Sequence, residues 1–216
     1  MACTSEMFGE VQGTNQQNEN TPFHPRSPYG CAKVFSYYLC KNYIESYGMF
    51  ISCGILFNHT GPKRGENFVE QKIVKAAVAI SLEKQECLYL GNIYSIRDIG
   101  SSVDYCEGMR MMLQHDECDV FVLATGEKHT IKEIVDIAFR KVGIELEWSG
   151  QGVDEIATNK KNNKIVVRID PKYFRPAEVE FLWGDASKAQ KILGWKPNFS
   201  FDDIITDMIK AAYKLS

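Results

Sequence analysis

A chain of 216 residues has room for one large domain or two small ones, and 44% hydrophobic with 12% aromatic residues excludes global disorder. A net charge of −3 without a long basic run gives no basis for a nucleic-acid partner. Seven scattered cysteines, without Cys-x-x-Cys or paired Cys/His spacing, read as free thiols, nothing resembles a signal peptide, and no apolar run reaches membrane-spanning length, so the reading is cytoplasmic.

Residues 1–9 read as the end of a buried strand running into a site loop, and the Gln/Asn-rich residues 11–20 as a solvated loop. Residues 28–47 read as a helix: Ser27 suits the N-cap, Pro28 the first helical position and Gly48 the C-cap. Val34, Tyr38 and Ile44 are expected on its core side. Residues 49–57 form an apolar run with the length of a buried parallel strand. Asn58-His59-Thr60-Gly61-Pro62 breaks that run. Ligands in open α/β sheets bind beyond the C-terminal ends of strands, so the break is expected at a site.

Residues 68–83 read as a helix with Ile73, Ala76, Ala77 and Ile80 on its apolar side. Residues 86–90 read as a strand, followed by Arg97-Asp98 in a short extended piece. Residues 103–113 are expected to be helical, with Met109, Met111 and Met112 filling a core. After a strand at 119–123, Thr130 is expected to cap a helix over 131–142. Residues 144–148 alternate like a strand, 150–164 read as an exposed polar loop, and 165–169 as a short strand. Helices are expected at 186–193 and 201–214. The fold class is α/β: the C-terminal part of a doubly wound fold, with a small substrate-capping region.

Tyr29 and Lys33, four residues apart, share one face of the first helix. A free phenol has a pKa of about 10, and an ammonium one turn away favours its ionised form. The pair reads as a tuned proton-transfer group, although the same spacing occurs on ordinary amphipathic helices.

Further stretches stand around that pair. They are Thr4-Ser5-Glu6, Arg26-Ser27-Pro28-Tyr29-Gly30-Cys31-Ala32-Lys33, Gly54-Ile55-Leu56-Phe57-Asn58-His59, Arg97-Asp98, Ala124-Thr125-Gly126-Glu127, Tyr173-Phe174-Arg175-Pro176-Ala177-Glu178-Val179 and Leu193-Gly194-Trp195-Lys196-Pro197. Together and in this order they resemble the extended short-chain dehydrogenase/reductase superfamily, and within it the GDP-mannose 4,6-dehydratase family. The resemblance implies a Rossmann-like fold, with one incomplete NAD(P)-binding domain over residues 1–216 and substrate-side elements mainly from 61–102 and 145–185. It implies conversion of GDP-mannose to GDP-4-keto-6-deoxymannose and water by internal hydride transfer through NADP.

By the same resemblance Tyr29 takes the proton of the carbon 4 hydroxyl, Lys33 supports it and holds the cofactor ribose, and Thr4 hydrogen-bonds the same sugar oxygen. Glu6 removes the carbon 5 proton. Tyr29, Lys33, His59 and Arg64 match cofactor positions. Asn58, Val69, Lys72, Arg97, Arg175 and Glu178 match substrate positions. Taken singly, Glu6 reads as a solvated loop acid, Asn58 as a turn residue, Lys72 as an exposed helix lysine, Arg175 as a loop charge and Arg97-Asp98 as an ion pair worth about 0–1 kcal/mol. The chain departs from the family at Thr60-Gly61, Lys63 and Ile99.

The 216 residues contain no Gly-x-x-Gly-x-x-Gly and no Gly-x-Gly-x-x-Gly, the turn that holds a dinucleotide pyrophosphate. The chain therefore reads as a fragment, a truncated product or one piece of a split enzyme, expected to be inactive alone. Homo-oligomerisation, or association with a chain that supplies the cofactor-binding half, is the expected partnership. The alternative reading is a non-catalytic chain that binds a GDP-sugar or a full-length paralogue.

Overall fold

The computed structural model describes residues 1–9, 16–174 and 179–215. Strand β1 (Ala2–Thr4) runs into a single 3-10 turn, Ser5–Met7, and helix α1 spans Pro28–Tyr47. Strands β2 (Cys53–Leu56) and β3 (Asn58–Thr60) precede α2 (Val69–Ser81). Then come β4 (Leu88–Leu90), β5 (Ile96–Arg97), β6 (Ile99–Ser101) and α3 (Ser102–Gln114). Strands β7 (Val120–Leu123) and β8 (His129–Thr130) lead into α4 (Ile131–Lys141). The remainder is β9 (Leu146–Ser149), β10 (Ile156–Asn159), β11 (Ile165–Ile169), β12 (Phe181–Leu182), α5 (Ser187–Leu193) and α6 (Phe201–Lys214).

These elements form two compact units. The first comprises Met1–His59, Ile96–Lys128 and Ala177–Ser200, the second Thr60–Ser95, His129–Pro176 and Phe201–Ser216. In the first unit β1, β2 and β7 form a parallel sheet in that order, with Cys3 opposite Ile55 and Ile55 opposite Val122. Parallel strands are covered on both faces and so read as unbroken apolar runs. Ile55, Phe121, Val122 and Leu123 are accordingly without exposure. Among the described residues β1 pairs on one side only.

Helix α1 begins and ends where its caps dictate. The Ser27 hydroxyl accepts from the Gly30 N–H at 3.0 Å, and Gly48 closes the helix with φ +62°. Its core side differs from the expectation: Tyr37 is buried and Tyr38 is exposed. The buried stripe runs through Gly30 and Tyr37, seven residues apart, and Tyr38 lies 100° round the helix from it. The Phe23 ring meets both, edge-on, with centroids 5.1 Å from Tyr37 and 6.3 Å from Tyr38. The apolar run at 49–57 also shortens, because Met49 and Phe50 lie exposed before β2 begins at Cys53.

In the second unit α2, α4 and α6 pack together through Ile73, Val74 and Ala77, through Ile134, Val135 and Phe139, and through Ile205 and Met208. Thr130 caps α4 as expected, and Glu133 returns the bond to complete a capping box. A second sheet has the order β4-β11-β10-β9, parallel between β4 and β11 and antiparallel beyond. The exposed loop expected at 150–164 is thus corrected. Residues Ile156–Asn159 are a central strand, and Ala157 is fully buried. Pairing on both sides satisfies the backbone of a segment whose polar composition gave no strand signal.

Glu155, at the start of that strand, is buried and accepts from Lys132 Nζ at 2.7 Å and from the Tyr94 hydroxyl at 2.7 and 2.8 Å. The Lys132 ammonium lies 4.4 Å above the Trp148 ring.

Candidate active site

The site in the first unit starts at the end of β1. Thr4 is extended, and its hydroxyl accepts from the Glu6 N–H at 3.3 Å, which turns the chain into the 3-10 element. Ser5 and Met7 point into the core, and Glu6 stays half-buried between them. The chain returns at His24, whose N–H donates to the Met7 carbonyl at 3.1 Å. Ser27 and Pro28 then start α1 beside that turn.

Gly30 makes this proximity feasible. A Cβ there would lie 2.8 Å from the Glu6 carbonyl oxygen and 3.0 Å from Pro25 Cβ. Only a glycine lets the first turn of α1 approach the backbone that carries Glu6. On the same helix Lys33 Nζ donates to the Ala2 carbonyl at 2.9 Å and lies 5.6 Å from the Tyr29 ring centroid. Tyr29 itself is 54% exposed. Thr4, Glu6, Tyr29 and Lys33 are therefore brought to one junction, where β1, its turn and the start of α1 meet.

Asn58 and His59 follow β2, as the strand-end argument expects. His59 Nδ1 donates to the Phe57 carbonyl at 2.9 Å, and its ring packs 4.9 Å from that of Tyr105. Asn58 Oδ1 is buried and has no partner among the described residues. Arg97 lies on β5 and donates from Nη1 to the Ile96 carbonyl at 2.9 Å. No salt bridge joins it to Asp98 among the described residues, so the ion pair considered from sequence does not form. The Asp98 carboxylate is wholly buried and is met by the backbone amides of Thr125, Gly126 and Gly184. Burial pushes the Asp98 carboxyl up from its ordinary pKa, against the pull of those donors.

Three predicted residues belong to the second unit. The Arg64 guanidinium stacks 3.5 Å over the Phe68 ring, and its buried Nε has no partner among the described residues. Val69 opens α2. Lys72 Nζ donates to the Tyr89 carbonyl at 2.5 Å and lies 3.7 Å over the Tyr173 ring, so it is not a freely solvated helix lysine. Arg175 and Glu178 lie outside the described residues. Sequence reasoning missed Gly30 and Asp98. The first was hidden as a variable position inside Tyr-x-x-x-Lys. The second was read only against the arginine beside it.

The family model described as GDP-mannose 4,6 dehydratase matches residues 1–208. The chain belongs to that family. It is 48% identical over 214 residues to GDP-mannose 4,6 dehydratase of Drosophila melanogaster, covering 99% of this chain and 54% of the relative. It is 49% identical over 218 residues to GDP-mannose 4,6-dehydratase of Yersinia enterocolitica, covering 96% and 58%. The human GDP-mannose 4,6 dehydratase is 45% identical over 214 residues, covering 99% and 57%. The chain thus spans a little over half the length of these curated relatives.

Among solved structures, RMD from Pseudomonas aeruginosa complexed with NADPH superposes with a TM-score of 0.82 at 19% identity, covering 99% of this chain and 65% of the other. The dTDP-glucose 4,6-dehydratase from Bacillus anthracis in complex with NAD gives 0.78 at 20% identity, covering 99% and 60%. The first unit has the parallel sheet of the Rossmann-like α/β class, and these likenesses establish the fold.

Proposed function

We propose that the chain carries the dehydration chemistry of a GDP-mannose 4,6-dehydratase, with GDP-mannose as substrate and NADP as cofactor. The observation that supports this most is the junction at Gly30, where the Tyr29–Lys33 helix meets the turn that carries Glu6. Two proton-handling groups on separate elements share one glycine-dependent approach.

The residues present fit a nicotinamide dinucleotide. Arg64 has a buried, unanswered Nε for an anionic group, and Tyr29 is exposed beside the Lys33 ammonium. Tyr29, Lys33, His59 and Arg64 would hold it. When bound, NADP supplies the acceptor and donor for the hydride that leaves carbon 4 and returns to carbon 6.

The chain's own residues handle the protons. Tyr29 receives the carbon 4 hydroxyl proton, and Thr4 orients that oxygen. A carbonyl at carbon 4 acidifies the hydrogen on carbon 5. Glu6 takes that proton and assists the departure of the carbon 6 hydroxyl as water. Asn58, Val69, Lys72, Arg97, Arg175 and Glu178 hold the sugar nucleotide, with the cations on the diphosphate. Substrate-side elements come from residues 61–102 and 145–185. The setting is cytoplasmic, and among the described residues no helix is long and apolar enough to cross a membrane.

One observation favours a second reading, a non-catalytic chain that holds a GDP-sugar or docks on a paralogue: the 216 residues contain no Gly-rich dinucleotide turn. We propose that the chain alone does not turn over, and that it acts as a homo-oligomer or beside a chain that supplies the cofactor-binding half. The test follows GDP-4-keto-6-deoxymannose by chromatography, for the chain alone and for the chain joined to the cofactor-binding segment of a curated relative. Product is expected only from the joined protein, and Tyr29→Phe should lower its rate by about 10²-fold or more. GDP-mannose binding without product in both forms would establish the second reading.

A further inference from the structure

We infer that Asp98 is a positioning residue for Arg97: its buried carboxylate fastens three separate stretches of the first unit into a frame that fixes the backbone from which Arg97 addresses the substrate diphosphate. The inference rests on the assignment of Arg97 to the diphosphate.

Asp98 Oδ1 accepts from the Thr125 N–H at 2.8 Å and from the Thr125 hydroxyl at 2.6 Å. Oδ2 accepts from the Gly126 N–H at 2.9 Å and from the Gly184 N–H at 3.2 Å. The Asp98 N–H donates to the Leu182 carbonyl at 3.0 Å, and Arg97 stands opposite Leu182 in the parallel pair of β5 and β12. The carboxylate and the strand ladder therefore grip the same short strand from two directions.

The donors are themselves constrained. Gly126 is left-handed at φ +77°, and its carbonyl accepts from the Trp183 indole N–H at 2.7 Å. A Cβ on Gly184 would come within 2.9 Å of the Phe57 ring. No cation neutralises Asp98 among the described residues, so hydrogen bonds from neutral donors carry its charge in a buried place. Such an arrangement is costly to relax and holds a single geometry. A two-residue strand next to it inherits that rigidity, and a guanidinium anchored on a fixed backbone loses less freedom when it meets a phosphate.

The experiment is a calorimetric titration of GDP-mannose into the 216-residue chain and its Arg97→Met, Asp98→Asn and double variants. Melting temperatures are recorded alongside, with ¹⁵N relaxation of the Arg97 Nε–H group. Each single variant should weaken binding about tenfold. The double variant should be no weaker than Arg97→Met, because Asp98 acts only through Arg97. Arg97 Nε should gain motion in Asp98→Asn without sugar nucleotide present. Thr125→Val, which removes one donor and keeps the charge, should shift both readouts in the same direction by a smaller step, and it decides the matter should Asp98→Asn not fold.

Additive losses in the double variant, or a folded Asp98→Asn with unchanged affinity and unchanged Arg97 order, would overturn the inference. An Arg97→Met chain that binds GDP-mannose as tightly as the parent, or a parent chain that does not bind it, removes the diphosphate assignment and the inference with it.

Discussion

At the scale of single residues, the role proposed for Glu6 is the one that would separate dehydration from simple oxidation. It sits on a turn whose geometry Thr4 fixes, so a change to glutamine alters charge and basicity without altering the turn. In the joined enzyme Glu6→Gln should lower 6-deoxy product formation by about 10²-fold or more while oxidation at carbon 4 persists, so reduced cofactor absorbance rises in the variant. Unchanged product formation would refute the assignment.

Tyr37 gives a prediction about pH. Burial, with smaller contributions from Cys53, Tyr38 and Cys3, raises its pKa to about 12. The unfolded value is about 10, so the folded state holds this proton more tightly. The stabilisation is complete below pH ~10 and is lost as pH rises through about 12. Urea midpoints measured across that window should fall more steeply in the parent chain than in Tyr37→Phe. Parallel curves would show that Tyr37 does not titrate in this way.

At the scale of elements, the sheet order β4-β11-β10-β9 depends on a polar anchor as well as on apolar packing. Lys132 on α4 reaches the buried carboxylate of Glu155 at the start of β10, with the Lys132 side chain 25% and the Glu155 side chain 3% exposed. Burial alone would lower the lysine pKa, yet the bond and charge of Glu155 outweigh it and raise it. Removing one partner of such a pair leaves a charge in a dry place. Lys132→Met should cost about 3 kcal/mol, the lower end for a broken buried pair, because part of the lysine remains in solvent. Chemical denaturation measures this. A loss under ~1 kcal/mol would mean that water already reaches Glu155.

At the scale of the whole molecule, the chain has two compact units but no Gly-rich turn among its residues. The pyrophosphate of a dinucleotide is normally met by backbone amides and a helix N-terminus, which contribute much of the affinity. The contacts proposed for Tyr29, Lys33, His59 and Arg64 would come from side chains alone. The chain by itself is therefore expected to bind NADP more weakly than about 100 μM. Fluorescence or calorimetric titration tests this, and micromolar binding by the chain alone would overturn it. The exposed apolar residues of α1, among them Phe35, Leu39 and Tyr47, leave a charge-poor face on the helix that carries Tyr29.

The sequence by itself determined what depends on neighbours along the chain. Ser27, Pro28 and Gly48 mark the ends of α1, and Thr130 marks the start of α4, because capping needs only residues within a turn of one another. Apolar runs located β2 and β7, and the spacing of Tyr29 and Lys33 put them on one face. The motif set identified the family. Tertiary structure decided what depends on distant partners. Tyr37 rather than Tyr38 faces the core because the residues it packs among come from distant parts of the chain. Residues Ile156–Asn159 are a strand because two others flank them. Asp98 serves the amides of Thr125, Gly126 and Gly184 instead of the neighbouring arginine. Gly30 matters because its missing Cβ leaves room for the Glu6 carbonyl, 24 residues away in sequence, and periodicity carries no information about a contact of that kind.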